Sequence, residues 1–114
     1  MSTLRGDGTI HSVPVWVDVE GDNVVLNTAE GRAWPTNLRR AGHATLTVVN
    51  LENPYEYLTV TGRLAQDTHD GADAHIDTMA KKYLGQDSYP FRQPSEQRIK
   101  IAIAPERVHR QSAG

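Results

Sequence analysis

Alternation of apolar and polar side chains is the clearest pattern in this chain. Between residues 12 and 19 every second residue is a valine, namely Val13, Val15, Val17 and Val19. A period of two places these valines on one face of a strand, where they would meet a core. We predict a strand over residues 10–19, with glycine-containing turns joining it to short strands at 1–4 and 24–28.

The second half of the chain carries the same kind of pattern. Three further strands are predicted, over residues 44–49, 57–64 and 99–103. Gly62 lies inside the second of these and indicates a bulge or a bend, because glycine weakens a regular strand. Pro105 is expected to end the last strand, since proline has no N–H to donate.

Two helices are predicted between the strands. The first should begin at Pro35 and end at Gly42, because proline suits a first helical turn and glycine suits the position after the last. Trp34 would then lie outside the helix, where it lines a pocket or packs on the helix. The second helix should begin after Asp70, acting as N-cap, and end before Gly85.

These elements predict a mainly β fold with two helices. Six strands, one short crossover helix and one covering helix fit a small six-stranded antiparallel barrel, since closure removes exposed sheet edges. With 114 residues the chain is expected to form a single domain, 1–114. A domain of this size buries limited apolar surface, so a partner subunit would help it.

Charge and cysteine content exclude several classes of function. The net charge is −2, with 12 basic and 14 acidic residues, so neither nucleic acid nor a membrane surface is an expected partner. There is no cysteine, which excludes disulfides, thiolate metal sites and a cysteine nucleophile. The sequence has neither an apolar run of membrane-spanning length nor an initial secretory signal, and we expect a cytoplasmic protein.

Residues 27–40 carry the candidate chemistry of this chain. They run from the end of a predicted strand through Gly31 and Arg32 into the first helix. Glycine lets backbone approach a ligand, a helix start offers free N–H groups, and a guanidinium binds oxyanions in a fork. The stretch predicts an anion site. The alternative is a turn whose glycine and arginine only cap the helix and face solvent.

Other polar and aromatic residues have weaker functional interpretations. His69, Asp70, Asp73 and His75 have the residue types of metal ligands, but helix capping and solvation explain them, and we predict no metal site. Trp16 would stack on a ligand ring or contact a partner subunit. The aromatic residues of 89–92 would gate a site or seal the barrel end. No hydrolase motif occurs, and no catalytic residue is assigned.

Several segments together resemble one known family. They are residues 3–9 with 13–16, 27–40, 53–55, 60–63, 81–85 and 89–92. In these segments the chain resembles the split β-barrel flavin and deazaflavin-dependent oxidoreductases, which are related to pyridoxamine 5'-phosphate oxidase. The likeness spans nearly the whole chain. It is strongest to the branch that uses coenzyme F-420.

The resemblance implies a homodimer with cofactor sites in grooves between two barrels. The cofactor ring would lie along residues 13–16, and its phosphate near Thr28 and residues 32–37. The implied cofactor-binding residues are Val13, Pro14, Val15, Trp16, Asn27, Thr28, Arg32, Ala33, Trp34 and Asn37. The implied activity is hydride transfer between coenzyme F-420 and a small organic substrate with an activated double bond. The alternatives are an FMN-binding protein of the pyridoxamine-phosphate-oxidase kind, and a non-enzymatic dimer that sequesters flavin, deazaflavin or haem.

Two features depart from the family pattern. Many relatives carry a lysine directly after the Arg-Ala pair, where this chain has Trp34 followed by Pro35. The phosphate cradle would therefore hold less positive charge. Met1 falls almost inside the first predicted strand, whereas relatives usually have a helix before it, which is expected of a divergent short form or a misplaced start.

Overall fold

The fold is an antiparallel sheet of seven strands with two helices, described for residues 1–111 in a computed structural model. The elements are β1 Ser2–Leu4, β2 Ile10–Ser12, β3 Asp18–Glu20, β4 Asn23–Ala29, α1 Ala33–Ala41, β5 His43–Val49, β6 Tyr57–Thr68, α2 Ala72–Leu84 and β7 Arg98–Gln111. Their order across the sheet is β2-β1-β5-β6-β7-β4-β3. Neither helix in this part of the chain is long and apolar enough to cross a membrane.

The predicted strand over residues 10–19 is in fact two strands at opposite edges of the sheet. β2 pairs with β1, whereas β3 pairs with β4. Residues 13–17 connect the two edges outside any ladder, and Pro14 among them has no N–H to donate. The sheet is therefore open and seven-stranded, and the prediction of a closed six-stranded barrel was wrong in both respects. The prediction of a mainly β, antiparallel architecture is confirmed.

The core lies between α1 and the inner face of the sheet. It consists of Val24, Leu26, Trp34, Leu38, Ala44, Leu46, Val60, Ile99, Ile101 and Ile103. Val13, Val15 and Val17 pack against it and are partly buried, as the alternation predicted. Val19 is 64% exposed, because β3 lies at the sheet edge.

Helix α1 begins two residues earlier than predicted. Arg32 is its N-cap residue, and Trp34 lies inside the first turn, where its side chain is buried in the core. Pro35 occupies the third helical position, and there it costs no hydrogen bond because the first four N–H groups of a helix have no intrahelical partner. Gly42 ends the helix with a φ of 80°, as predicted.

Helix α2 covers the outer face of β4 and β7. Its apolar side, which includes Ile76 and Met79, is buried. Its N-cap is Gly71 with a φ of 71°, and not Asp70 as predicted. Glycine takes this position because the backbone there is left-handed, a conformation that aspartate adopts at a steric cost. Gly85 ends the helix as predicted.

Strand β7 runs through Pro105 instead of ending there. Gly62 pairs with Pro105 and Thr61 pairs with Arg107, so one extra residue on β7 forms the bulge that Gly62 predicted. The proline falls at this irregularity, which explains why the strand continues beyond it. β6 and β7 form a long ribbon whose β7 side beyond Ala104 is exposed.

An ion-pair network ties α1 to two strands. The Arg39 guanidinium donates two hydrogen bonds to Glu30, after the end of β4, and two to Asp67 of β6, at 2.5–2.9 Å. The His69 Nε2 atom lies 2.8 Å from the Glu30 carboxylate. Arg39 and then His69 lower the pKa of Glu30 to about 2.

We expect Gly62→Ala to destabilise the fold strongly. A Cβ at Gly62 would lie 2.4 Å from the Ala104 carbonyl oxygen, so the ribbon must shift, at a cost of about 1–3 kcal/mol in the free energy of unfolding. Gly6→Ala is the matched control, because its Cβ would meet only the Arg40 guanidinium, at 3.6 Å. Denaturant unfolding should find the control within about 0.5 kcal/mol of wild type. Equal effects of the two substitutions would contradict the close contact between Gly62 and the Ala104 carbonyl.

The Glu30 network also predicts a pH dependence of stability. The folded-state pKa is depressed, so the contribution of Glu30 is present above its ordinary pKa of 4.5 and is lost as the pH falls toward 2. Glu30→Gln should therefore flatten the loss of stability in that window, by a small amount because the carboxylate is exposed. Denaturation midpoints from pH 6 to 2.5 measure this. Glu52→Gln should keep the wild-type profile, and an unchanged profile in Glu30→Gln would contradict the prediction.

Candidate functional site

An open groove of about 630 Å³ lies between residues 13–16, the start of α1, the buried side of α2 and the loop before β7. It is lined by His11, Val13, Pro14, Val15, Trp16, Asn27, Arg32, Ala33, Trp34, Ile76, Met79, Tyr89, Phe91 and Arg98. Most of these side chains are apolar or aromatic, and the charged ones are guanidinium groups. The groove therefore suits a flat apolar group that carries an anion.

Eight of the ten residues predicted from the sequence line this groove, and Thr28 and Asn37 do not. Thr28 is fully buried on the same face of β4 as Leu26, within the sheet interior. Asn37 is a buried residue of α1 and donates a hydrogen bond to Thr3 Oγ1 at 3.3 Å. The role of all ten in cofactor binding stays a prediction.

The end of α2 holds residues 13–17 in place. Tyr83 donates its hydroxyl to the Val17 carbonyl at 2.8 Å and accepts the Val17 N–H at 3.1 Å. Lys82 donates to the same carbonyl at 2.8 Å. The Trp16 ring stacks on Tyr83, with centroids 5.3 Å apart and planes 8° from parallel. One wall of the groove is thus fastened to a helix.

Aromatic residues of the loop before β7 form an adjoining wall. Tyr89 meets Trp16 edge-on at 6.1 Å between ring centroids, and Phe91 meets Tyr89 edge-on at 5.7 Å. Phe91 is 64% exposed and leaves a ring face open to solvent. Asp77 of α2 fixes this loop, because it accepts the Tyr89 N–H at 2.9 Å and a guanidinium N–H of Arg92 at 2.6 Å.

Arg98 is a groove residue that the sequence analysis missed. It is the first residue of β7, and its side chain is only 3% exposed. Its Nε donates to Asn27 Oδ1 at 2.9 Å and Nη1 donates to Glu96 at 2.5 Å. The guanidinium carbon also lies 5.2 Å from the centre of the Tyr89 ring. Alternation with Ile99 indicated a solvent-facing residue, but α2 covers that face of β7.

Asn27 positions the Arg98 guanidinium. Its Nδ2 donates to the Ala72 carbonyl at 2.8 Å and to His75 Nδ1 at 3.1 Å, so its Oδ1 faces Arg98. A carbonyl can only accept, which fixes this amide orientation and puts the His75 proton on Nε2. That Nε2 is buried without a hydrogen-bond partner among residues 1–111. Burial lowers the pKa of His75, and the nearby Lys100 adds to the shift, so both effects favour the neutral imidazole.

Glu96 joins the two guanidinium groups at the groove. Its Oε1 accepts from Arg98, and its Oε2 lies 3.5 Å from Arg32 Nη2. The Glu96 side chain is 11% exposed, whereas that of Arg32 is 49% exposed. The two arginines, which are distant in sequence, thus share one carboxylate beside the start of α1.

Three of the four residues with metal-ligand chemistry contact different partners in the structure. His69 contacts Glu30 and Gln97, Asp73 pairs with Arg92, and His75 contacts Asn27. Across residues 1–111 no three such side chains come together. Each of these contacts is a structural ion pair or hydrogen bond.

No protein-family model and no curated protein matches the sequence. Solved structures do match. An F-420 reductase superimposes with a TM-score of 0.81 at 23% identity, over 95% of this chain and 85% of that one. A conserved hypothetical protein of Mycobacterium tuberculosis gives a TM-score of 0.73 at 16% identity, over 97% and 74% of the two chains.

A third similar structure is a Listeria innocua protein provisionally assigned as a pyridoxamine 5'-phosphate oxidase. Its TM-score is 0.70 at 15% identity, over 96% of this chain and 83% of that one. At such identities a likeness establishes the fold. The chain therefore has the fold of F-420 reductase and pyridoxamine 5'-phosphate oxidase-like proteins, and the split-barrel resemblance drawn from the sequence is confirmed at that level.

Proposed function

We propose that this protein binds coenzyme F-420 in the groove and acts as an oxidoreductase on a small organic substrate with an activated double bond. The observation that carries the proposal is a pair of guanidinium groups, Arg32 and Arg98, at one end of an apolar and aromatic groove. The fold likeness to an F-420 reductase supports it.

The residues of the groove fit a deazaflavin. A groove of about 630 Å³ lies within the roughly 300–1,000 Å³ typical of ligand sites. A tricyclic ring is flat and largely apolar, which suits residues 13–16 and the aromatic wall of Tyr89 and Phe91. The phosphate of such a cofactor is an oxyanion, which suits the two guanidiniums and the N–H groups at the start of α1.

Arg98 supplies the positive charge of the lysine that this chain lacks after Ala33. Relatives that carry the lysine would place two cations in one segment of sequence, whereas here the second cation comes from β7. Because Asn27 fixes the guanidinium, it is a preorganised donor for a phosphate. The weaker cradle that the sequence predicted is therefore supplemented from elsewhere in the fold.

When bound, reduced coenzyme F-420 supplies a hydride to an electron-poor double bond. The protein's own part is to orient the ring against the substrate and to keep water out with the Trp16, Tyr89 and Phe91 side chains. His11 also lines the groove. Its Nδ1 accepts from Arg5 at 3.2 Å, so in the neutral ring the proton is on Nε2, which can donate a hydrogen bond to a substrate. Solvent supplies the proton that completes the reduction.

FMN is the second candidate ligand, because its ring and phosphate make the same demands and a pyridoxamine 5'-phosphate oxidase-like protein shares the fold. The groove by itself also suits a non-enzymatic dimer that holds such a ligand. Turnover distinguishes an enzyme from a carrier, since a carrier would bind the cofactor without oxidising or reducing it across a panel of enones and quinones.

We expect coenzyme F-420 to bind with a dissociation constant in the micromolar range, measured by fluorescence titration. Arg32→Ala should weaken this binding roughly tenfold, since one charge-assisted contact to phosphate is lost. Arg63→Ala, at an exposed position of β6, removes the same charge outside the groove and should have no effect. Absence of micromolar binding, or equal effects of the two variants, would contradict the proposal.

We further propose that the protein is a homodimer that uses the outer end of β5, β6 and β7. Apolar side chains are exposed together there, and Leu51 is 90%, Tyr55 82% and Val108 55% exposed. A second groove of about 330 Å³ lies beside them, lined by Val48, Val49, Asn50, Glu56, Tyr57, Leu58 and Arg110. An exposed apolar cluster next to a groove is typical of a subunit interface.

Sedimentation analysis should find a dimer at micromolar concentration. Val108→Asp should shift the equilibrium toward monomer, because the new charge would be buried in the interface. Val19→Asp is the control: it adds the same charge to another exposed valine, in β3 at the far edge of the sheet. Wild-type protein that stays monomeric at high concentration would contradict the proposed homodimer.

A further inference from the structure

Glu96 binds both of the arginines that line the groove, although it is not itself a lining residue. Each of its carboxylate oxygens faces a different guanidinium, Oε1 toward Arg98 at 2.5 Å and Oε2 toward Arg32 at 3.5 Å. A phosphate would offer the same two acceptors to the same two donors. The carboxylate therefore satisfies the arginines in the way that a ligand would.

The two arginines differ in how firmly they are held. Arg98 is almost fully buried, and Asn27 and the Tyr89 ring hold its guanidinium. Arg32 is half exposed, and its contact with Glu96 is long for an ion pair. An incoming anion would find Arg98 already in position, so the groups that move are Glu96 and Arg32.

The backbone around Glu96 allows such a movement. Glu96 lies in the loop that precedes β7, where its N–H donates to the Gln93 carbonyl in a turn at 3.0 Å. The next residue is anchored, because the Gln97 carbonyl accepts the Glu30 N–H at 2.9 Å. A rotation of the Glu96 side chain toward solvent would leave this anchor and β7 unchanged.

We propose that Glu96 is an internal competitor for the anion site, which a phosphate-bearing ligand displaces from Arg98 and Arg32. The proposal rests on the groove being the ligand site of the proposed function. Its ligand class is a phosphate ester, because a phosphate carries several oxygens and can replace both contacts of the carboxylate. Glu96 also lowers the charge of the empty site from +2 to +1, which reduces the attraction for weakly binding anions.

Such a competitor has a physical reason to exist. A buried guanidinium without a partner is costly, and Glu96 provides the partner of Arg98 when no ligand is bound. Each phosphate contact then replaces an existing ion pair, so the gain on binding is smaller than two free arginines would give. Glu96 thereby stabilises the ligand-free protein and lowers its affinity for phosphate-bearing ligands.

Glu96→Gln tests the proposal by removing the competing charge while keeping the shape of the side chain. Its affinity for FMN and for inorganic pyrophosphate should rise about two- to fivefold, the range expected for one partly exposed ion pair. Its affinity for riboflavin, which has no phosphate, should stay at the wild-type value. Glu52→Gln removes the same charge from an exposed turn and should leave all three affinities unchanged.

A purely structural Glu96 predicts a different result. Glu96→Gln would then bind phosphate ligands as weakly as wild type or more weakly, and either outcome overturns the proposal. An equal gain for riboflavin, or an equal gain in Glu52→Gln, overturns it as well. Absence of pyrophosphate and FMN binding in both wild type and variant also overturns it.

A second measurement needs no variant. In wild-type protein labelled with ¹³C, the carboxyl resonance of Glu96 should shift as pyrophosphate is added, while that of Glu52 stays in place. A Glu96 resonance that does not respond at saturating pyrophosphate means that the carboxylate remains on the arginines, which overturns displacement.

These measurements separate the inference from the proposed function. If pyrophosphate displaces Glu96 but neither coenzyme F-420 nor FMN binds, the anion site stands and the proposed cofactor is wrong. If coenzyme F-420 binds and Glu96→Gln changes nothing, the cofactor stands and the internal competitor is wrong.

Discussion

Packing of α2 against β4 and β7 is the constraint on which the rest of the structure depends. α1 and the sheet interior cover one face of these strands, and α2 covers the other, so Val25 and Ala102 are buried outside the core cluster. Polar groups on the second face lose their water and need partners. The hydrogen bonds of Asn27 to α2 and to Arg98 supply such partners. They also hold the Arg98 guanidinium at the groove.

The same helix determines the shape of the groove at its other end. Lys82 and Tyr83 bind the Val17 backbone, and Asp77 holds the aromatic loop. Both walls of the groove are therefore fastened to one rigid element, while the anion end depends on the loop before β7. Shape comes from packing and hydrogen bonds to the helix, and charge comes from two arginines that the fold brings together across the sheet.

Most elements of the fold could be predicted from the sequence because they depend on local pattern. The alternating isoleucines of β7, the helix ends at Gly42 and Gly85 and the bulge at Gly62 are of this kind. The split of residues 10–19 between two sheet edges could not be predicted, since alternation says which face a residue takes and nothing about its partner strand.

The candidate site divides in the same way. Arg32 stood out because a glycine and a helix start surround it, both of which are visible in the sequence. Arg98 did not, because its importance depends on α2 covering β7 and on Asn27 lying beside it, which are long-range contacts. The metal-like set from His69 to His75 shows the opposite case, in which neighbours in sequence point to different partners.

Residues 13–17 have a mechanical consequence beyond their part in the groove. This segment directly connects the two outermost strands, β2 and β3. It is not itself part of any strand of the sheet. A ligand that contacts residues 13–17 would limit how far β2 and β3 can move apart. A ligand bound in the groove would therefore slow amide hydrogen exchange in β3, a strand that contributes no residue to the groove lining.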